Sequence, residues 1–198
     1  MNIIRHRRNT IKELNSTDIK HGVEVDIRSW NKTLIIHHEP FVEGELFESW
    51  LAEYRHGTLI LNVKEEGLEE RLIDLMKKYQ ISDYFFLDQS FPFLVKWSRN
   101  GENNCAVRLS EFESIETVLT LKGKVDWVWV DCFTYFPLDS ISAQRLQEGG
   151  FKLCLVSPEL QGRKAETEIP QLLALLEDNN IKADAVCTKR PDLWDGAI

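Results

Sequence analysis

Short apolar runs alternate with amphipathic stretches along the whole chain. The runs are four to seven residues long and rich in Val, Ile, Leu and aromatic residues, as in buried strands, and the stretches between them have helical spacing of apolar residues. The pattern predicts strands over residues 2–6, 23–28, 58–64, 84–88, 105–108, 127–131, 152–156 and 185–188. It predicts helices over residues 10–20, 45–55, 68–79, 93–99, 111–121, 140–148 and 166–179, and a hairpin-like excursion over residues 33–38.

Strands that alternate with helices form a parallel sheet, which is either open and doubly wound or closed into a barrel. Polar or charged groups at all eight strand ends favour the barrel, because an open sheet concentrates such groups at one switch point. These groups are His6, Asp26, Lys64, Asp88, Arg108, Asp131, Ser157 with Glu159, and Lys189. We therefore expect an α/β fold: a single-domain, compact TIM-type (β/α)8 barrel over residues 1–198, with a small hairpin excursion after strand 2. Because the chain is short for a barrel, some helices should be single turns, and the helix after Asp88 should be the weakest.

The composition and net charge argue against several classes of function. With 198 residues, 43% of them hydrophobic, the chain is long enough for one packed domain. A net charge of -8 argues against a nucleic-acid partner held by a positive field, and no apolar run is long enough for membrane insertion. The four cysteines lack C-x-x-C spacing and lie in strand-like segments, which predicts buried, reduced thiols in a cytoplasmic protein.

An acidic pair lies in the second predicted strand. Glu24 and Asp26 are two residues apart, so their side chains point to the same face of the strand. Two inward carboxylates repel each other and lose hydration, which predicts a divalent cation or a basic partner between them. The alternative is that the pair only forms salt bridges with Arg28, Arg108 or Lys64.

Two histidines lie beside this acidic pair in the sequence. His6 follows the first predicted strand and His38 follows the excursion, and imidazole suits proton transfer near neutral pH because its ordinary pKa is ~6.5. At a barrel mouth they could act as general acid and general base across a phosphorus centre. His21 and His56 precede strands, where a packing role is the simpler interpretation.

Five short motifs, in order, resemble those of the glycerophosphodiester phosphodiesterases. They are His6-Arg7, Asn9-Thr10, Glu24-Val25-Asp26, His38-Glu39-Pro40 and Asn62-Val63-Lys64, and Thr188-Lys189-Arg190-Pro191 resembles a closing motif of the same family. The resemblance implies a barrel that binds Ca²⁺ or Mg²⁺ and hydrolyses a glycerophosphodiester to an alcohol and glycerol 3-phosphate. It implies His6 and His38 as the catalytic acid and base pair, and Glu24, Asp26 and Asn62 at the metal position.

Cationic side chains are the candidate substrate-binding groups. The resemblance implies that Arg7 and Lys64 hold phosphate oxygens, where fixed cations stabilise the charge of the transition state. Arg108 and Lys189, at two other strand ends, join them as candidates for a small anionic phosphodiester or phosphorylated ligand. The polar loop over residues 157–163 is long enough to act as a lid, from which Arg163 could reach a second anionic group.

Four positions depart from the family pattern. Arg8 replaces a glycine, Glu39 and Lys189 replace aspartates, and Asn62 replaces the third metal carboxylate. The last change removes one negative charge, so a divalent cation should bind more weakly. Two alternatives to the hydrolase follow: an inactive barrel that binds a phosphorylated small molecule, and a lyase that uses Lys64 as base or imine former.

Overall fold

Strands and helices alternate along the computed structural model, which describes residues 1–196. The strands are β1 (Asn2–Arg5), β2 (Gly22–Trp30), β3 (Thr33–Ile36), β4 (Glu45–Leu46), β5 (Leu59–Val63), β6 (Tyr84–Leu87), β7 (Ala106–Leu109), β8 (Trp127–Val130), β9 (Lys152–Val156) and β10 (Ala185–Thr188). The helices are α1 (Ile11–Asn15), α2 (Phe47–Glu53), α3 (Glu69–Tyr79), α4 (Phe91–Arg99), α5 (Ile115–Leu119), α6 (Ser140–Glu148), α7 (Ala165–Asp178) and α8 (Pro191–Trp194), with a 3₁₀ turn at Pro158–Gln161. The prediction of an α/β protein with alternating strands and helices is confirmed.

Two compact units make up the described chain: residues 4–96, and residues 97–196 together with residues 1–3. In the first unit β2 pairs in parallel with β1 and with β5, and β5 pairs in parallel with β6. The last residues of β2 run beyond these partners and pair antiparallel with β3, which pairs with β4. The predicted excursion after the second strand is therefore a real antiparallel extension of the sheet.

Both faces of β2 are buried, and they carry different chemistry. Val23, Val25 and Ile27 are fully buried on one face, as expected for a parallel strand covered by helices. Glu24 and Asp26 are equally buried on the other face. The strand thus holds two carboxylates where most sheets of this class bury only apolar side chains. Burial removes the hydration of these carboxylates, and nearby polar or charged groups must compensate the lost free energy.

In the second unit β7, β8, β9 and β10 pair in parallel in that order. Cys105, Cys132, Cys154 and Cys187 are all buried and form no disulfide bond, which confirms the predicted burial of the thiols. Within residues 1–196, no helix is long and apolar enough to cross a membrane.

Two helix predictions were wrong. The helix after Asp88 is not the weakest: α4 has nine residues, whereas α1 and α5 have five each. The helix predicted over residues 111–121 shrinks to α5 because Ser110 and Glu113 form a local turn, in which the Ser110 hydroxyl donates to the Glu113 carboxylate at 2.6 Å and accepts from Phe112 N at 3.1 Å. Side chains that bond to nearby backbone in this way compete with helix formation.

The chain continues after β10 into the short helix α8. Pro191 suits the first turn of a helix, where its missing N–H has no partner to lose. Trp194 closes the helix, is buried, and donates from Nε1 to Ser157 Oγ at 2.9 Å. This contact ties α8 to the end of β9.

Candidate active site

The parallel strands of the first unit bring five predicted site residues to one edge. His6 follows β1, Glu24 and Asp26 lie in β2, Asn62 lies near the end of β5, and Lys64 follows β5. In the pairing register Asp26 lies directly opposite Asn62. Because the carboxyl ends of parallel strands meet at the same edge, side chains 38 positions apart, such as those of Glu24 and Asn62, come into contact.

Glu24 is fully buried and is held by two N–H donors. Asn62 Nδ2 donates to Oε1 at 2.9 Å, and the backbone N–H of Arg7 donates to Oε2 at 2.7 Å. Arg7 has a φ of +50°, unusual for a residue other than glycine, and this turn directs its N–H toward the carboxylate. His6 Nε2 lies 3.8 Å from Oε2.

Burial, and after it repulsion by Asp26, raises the pKa of Glu24, which reaches about 7 when all its contacts are included. The hydrogen bonds from Asn62 and from the Arg7 backbone, and the charge of Lys64, lower it. Burial has the larger effect because a carboxylate loses its hydration, and two hydrogen bonds with one distant cation do not replace it. A cation bound next to Glu24 would supply the missing compensation.

Asp26 is surrounded by donors. Asn9 Nδ2 donates to Oδ2 at 2.8 Å, and the backbone N–H of Asp26 donates back to Asn9 Oδ1 at 3.1 Å. Arg7 Nε lies 3.5 Å from Oδ2, and Lys64 Nζ lies 3.2 Å from Oδ1. The salt-bridge interpretation of the acidic pair therefore holds for Asp26 with Lys64, whereas Arg28 donates to the carbonyl groups of His38 and Lys64 instead.

Lys64 joins the acidic pair to a further carboxylate. Its Nζ also donates to Asp88 Oδ2 at 3.0 Å, and only 15% of its side chain is exposed. Asp88 follows β6 with a φ of +63°, a left-handed conformation that Asp tolerates better than most residues. Such backbone conformations are common at functional sites.

The oxygen atoms at this edge suit a hard divalent cation. Asn62 Oδ1 is buried and accepts no hydrogen bond, and neither does Asp26 Oδ1, although Lys64 lies beside the latter. A buried carbonyl oxygen without a donor is rare and costly, unless a cation or water contacts it. Within residues 1–196 no three His, Cys, Asp or Glu side chains are grouped so that they could hold a metal ion. At this edge the third candidate oxygen belongs to the Asn62 amide. Glu24, Asp26 and Asn62 are the residues here that could hold Ca²⁺ or Mg²⁺, because these ions bind carboxylate and amide oxygens.

His38 lies two residues beyond β3 and is anchored twice. Arg28 Nε and Nη2 donate to its carbonyl oxygen at 3.1 and 2.9 Å, and its ring Nδ1 lies 2.6 Å from Glu39 Oε1. Its side chain is 37% exposed. A cavity of about 680 Å³ is lined by both His38 and Arg7, so the second histidine and a candidate phosphate ligand face the same space.

Two of the predicted substrate-binding residues, Arg108 and Lys189, lie in the second unit. Arg108 forms a salt bridge with the buried Asp131, and the backbone N–H of Lys189 donates to Glu159 Oε1 at 2.8 Å. The loop over residues 157–163, predicted as a lid, is hydrogen-bonded to the strand end after β8: Gln161 Nε2 donates to Asp131 Oδ1 at 2.9 Å. Arg163 donates to the carbonyl oxygen of Cys132 and to Glu168, so it is engaged within its own unit.

Sequence reasoning missed two residues of the cluster. Asn9 was part of a motif but had no assigned role, and the structure shows that it holds both the carboxylate and the backbone of Asp26. Asp88 was noted only as a charged group at a strand end, whereas it binds Lys64. Their positions after β1 and β6, at the functional ends of strands, were the available signal.

Parallel strands of an α/β fold thus bring paired carboxylates, an imidazole and two cationic side chains together at their carboxyl ends. The structure is similar to a glycerophosphodiester phosphodiesterase from Agrobacterium tumefaciens, with a TM-score of 0.68 and 12% identity over 100% of this chain and 98% of that one. It is similar to a protein assigned as a glycerophosphodiester phosphodiesterase from Galdieria sulphuraria, with a TM-score of 0.73 and 15% identity over 99% and 97% of the two chains.

A glycerophosphoryl diester phosphodiesterase from Parabacteroides distasonis has a TM-score of 0.65 and 12% identity, over 100% of this chain and 85% of that one. No protein-family model matches the sequence, and no curated protein sequence does either. At sequence identities this low, the structural similarity establishes a shared fold and nothing further. The chain has the fold of glycerophosphodiester phosphodiesterases, which confirms the resemblance that its motifs indicate.

Proposed function

We propose that the protein hydrolyses a phosphodiester of the glycerophosphodiester type with the assistance of a divalent cation. The observation that carries this proposal is the convergence of Glu24, Asp26 and Asn62 with two cationic side chains and His6 at one strand edge. The shared fold supports it.

The cation would be held by at least one side-chain oxygen from each of Glu24, Asp26 and Asn62. A bound divalent ion supplies polarisation of a phosphoryl oxygen and neutralises developing charge. The protein contributes three carboxylates, Glu24, Asp26 and Asp88, against the cations Arg7 and Lys64. Arg7, whose side chain is 40% exposed, is the better placed of the two to contact a phosphate oxygen from the cavity.

The two histidines would divide the proton transfers. His6 would act as the general acid, because Glu24 Oε2 lies 3.8 Å from its Nε2 and stabilises a protonated ring. His38 would act as the general base: it takes the proton of the attacking water as the new P–O bond forms. His6 then protonates the alcohol oxygen as the old P–O bond breaks.

The lyase alternative receives no support from the contacts of Lys64. An amine that forms an imine must be neutral, and the Lys64 ammonium lies between Asp26 and Asp88 at 3.2 and 3.0 Å. These two carboxylates stabilise the charged group, and they suit a fixed cation better than a nucleophile.

Asn62→Asp is the sharpest test of the cation site. The change restores a third negative charge without changing the shape of the side chain, so Ca²⁺ and Mg²⁺ should bind at least about tenfold more tightly, or ~1.4 kcal/mol. It also removes the N–H that Asn62 donates to Glu24, so the metal-free variant should be less stable than the wild type. Calorimetric titration of metal-stripped protein measures the affinity, and thermal unfolding with and without Ca²⁺ measures the stability.

The double variant Glu24→Gln, Asp26→Asn is the control, since it should bind neither ion. Hydrolysis of bis(p-nitrophenyl) phosphate and of glycerophosphodiesters is measured in parallel with added metal or chelator. Metal-dependent hydrolysis by the wild type supports the proposal. If only Asn62→Asp hydrolyses, the natural protein is a binding protein; if neither protein binds metal or hydrolyses the diesters, the proposal fails.

A further inference from the structure

The segment His37-His38-Glu39 gives two adjacent imidazoles different partners. Glu39 Oε1 lies 2.6 Å from His38 Nδ1. The backbone N–H of the same residue, Glu39, donates to His37 Nδ1 at 3.0 Å, and its carbonyl oxygen lies 3.1 Å from the same ring nitrogen. One residue therefore contacts the Nδ1 atoms of both histidines, once with an acceptor and once with a donor.

A neutral imidazole carries one N–H, and the partner of one ring nitrogen decides which nitrogen holds the proton. An ionised carboxylate only accepts, so His38 Nδ1 must donate to Glu39. A backbone amide only donates, so His37 Nδ1 must accept, and the neutral ring of His37 holds its proton on Nε2. The 3.1 Å contact between His37 Nδ1 and the Glu39 carbonyl oxygen is then not a hydrogen bond.

We propose that Glu39 is a positioning residue that holds neutral His38 in the Nδ1–H tautomer, while its backbone holds His37 in the Nε2–H tautomer. His38 Nε2 then carries a lone pair that can accept a proton, and His37 Nε2 does not. The tautomer assignment rests on the hydrogen bonds alone; its use in proton abstraction rests on the function proposed above. This difference in tautomer gives a physical reason why His38, and not His37, would serve as the proposed base.

Further contacts support this arrangement. The hydrogen bond and charge of His38 lower the pKa of the Glu39 carboxyl, and the charges of Arg7 and His37 act in the same direction, which favours the ionised carboxylate as acceptor. Arg28 holds the His38 carbonyl oxygen with two donors and reaches the Lys64 carbonyl oxygen with a third at 3.3 Å. The backbone of His38 is thus fixed to β2 and to the end of β5, so loss of the Glu39 side chain should release only the ring.

Long-range ¹⁵N–¹H correlation spectra of protein labelled in its five histidines report the tautomer of each ring directly. Spectra are recorded without substrate, well above the ordinary histidine pKa of ~6.5, and His37→Gln and His38→Gln assign the two signals. The wild type should show His38 as Nδ1–H and His37 as Nε2–H. In Glu39→Ala, which keeps the backbone N–H, His38 should change to the Nε2–H form that an unconstrained side chain favours, while His37 stays unchanged.

Glu39→Gln keeps an acceptor oxygen and should retain the Nδ1–H form. Glu43→Ala changes another carboxylate that lines the cavity beside His38, and it should change neither ring. A wild-type His38 in the Nε2–H form, or a tautomer indifferent to Glu39→Ala, overturns the proposal. Kinetics then test the catalytic consequence: Glu39→Ala should lower kcat about tenfold with KM unchanged, and Glu39→Gln should lower it less. A protein that shows the expected tautomers but no diesterase activity refutes the proposed function and leaves this inference standing.

Discussion

His6→Ala is expected to lower kcat for phosphodiester hydrolysis by about 100- to 10,000-fold, the usual contribution of one general acid or base. The imidazole of His6 is 15% exposed and lies against the buried carboxylate of Glu24. Alanine leaves no group at this position that can protonate the departing alkoxide. KM should change much less, since the phosphate contacts proposed for Arg7 and Lys64 remain.

The identity of the leaving group makes this test sharper. Diesters with p-nitrophenol need little help from an acid, whereas alkyl glycerophosphodiesters need much, so His6→Ala should reduce alkyl ester hydrolysis far more. His56→Ala is the matched control, because His56 precedes β5 at the opposite strand ends and contacts the Thr17 carbonyl oxygen at 3.0 Å. Equal activity of His6→Ala and His56→Ala on alkyl esters would remove His6 from the mechanism.

Glu24→Gln is expected to abolish the proposed cation site and to make the metal-free protein more stable near neutral pH. The wild-type carboxyl, fully buried beside Asp26, has its pKa raised from 4.5 to about 7. Glutamine has nearly the same shape and no charge to bury. Rotation of the Asn62 amide would present its unpartnered Oδ1 to the new NH₂ group, so both amides can be satisfied.

The sign of the pH dependence follows from the raised pKa. Between pH 4.5 and about 7 the folded protein keeps a proton on Glu24 that the unfolded chain releases, so the free energy of unfolding falls as pH rises through this window. The stability that the protonated carboxyl contributes is fully present below pH 4.5 and is lost above 7. A pKa raised from 4.5 to about 7 corresponds to a loss of about 3 kcal/mol in the free energy of unfolding, since each pKa unit is worth ~1.4 kcal/mol. The Glu24→Gln variant should not show this loss.

Urea unfolding of metal-free wild type and Glu24→Gln from pH 4.5 to 8 measures this difference. Glu53→Gln, which removes an exposed carboxyl at the end of α2, corrects for the general effect of lost charge. Excess Ca²⁺ at pH 8 should stabilise the wild type and leave Glu24→Gln unchanged. Parallel stability curves for wild type and Glu24→Gln would mean that Glu24 is ionised at low cost, and that the protein compensates its charge without a cation.

Local sequence predicted the strands more accurately than the helices. β9 and β10 have the predicted bounds, because buried parallel strands are continuous apolar runs that end abruptly at polar residues. Helix lengths failed where side chains bond locally: the Ser110 turn shortens α5, and the hydroxyls of Ser16 and Thr17 bond the Glu13 carbonyl oxygen after α1. Apolar periodicity does not reveal such competing hydrogen bonds.

The sequence alone determined that Glu24 and Asp26 share a face, because residues two apart on a strand always do. It also determined the apolar strands, the polar strand ends and the order of the motifs, since all of these are local properties of the chain. The tertiary structure decided which side chains meet: Asn62 and the Arg7 N–H on Glu24, and Lys64 between two aspartates. Those contacts depend on strand register and on backbone turns with positive φ at Arg7 and Asp88, which arise only when distant segments pack together.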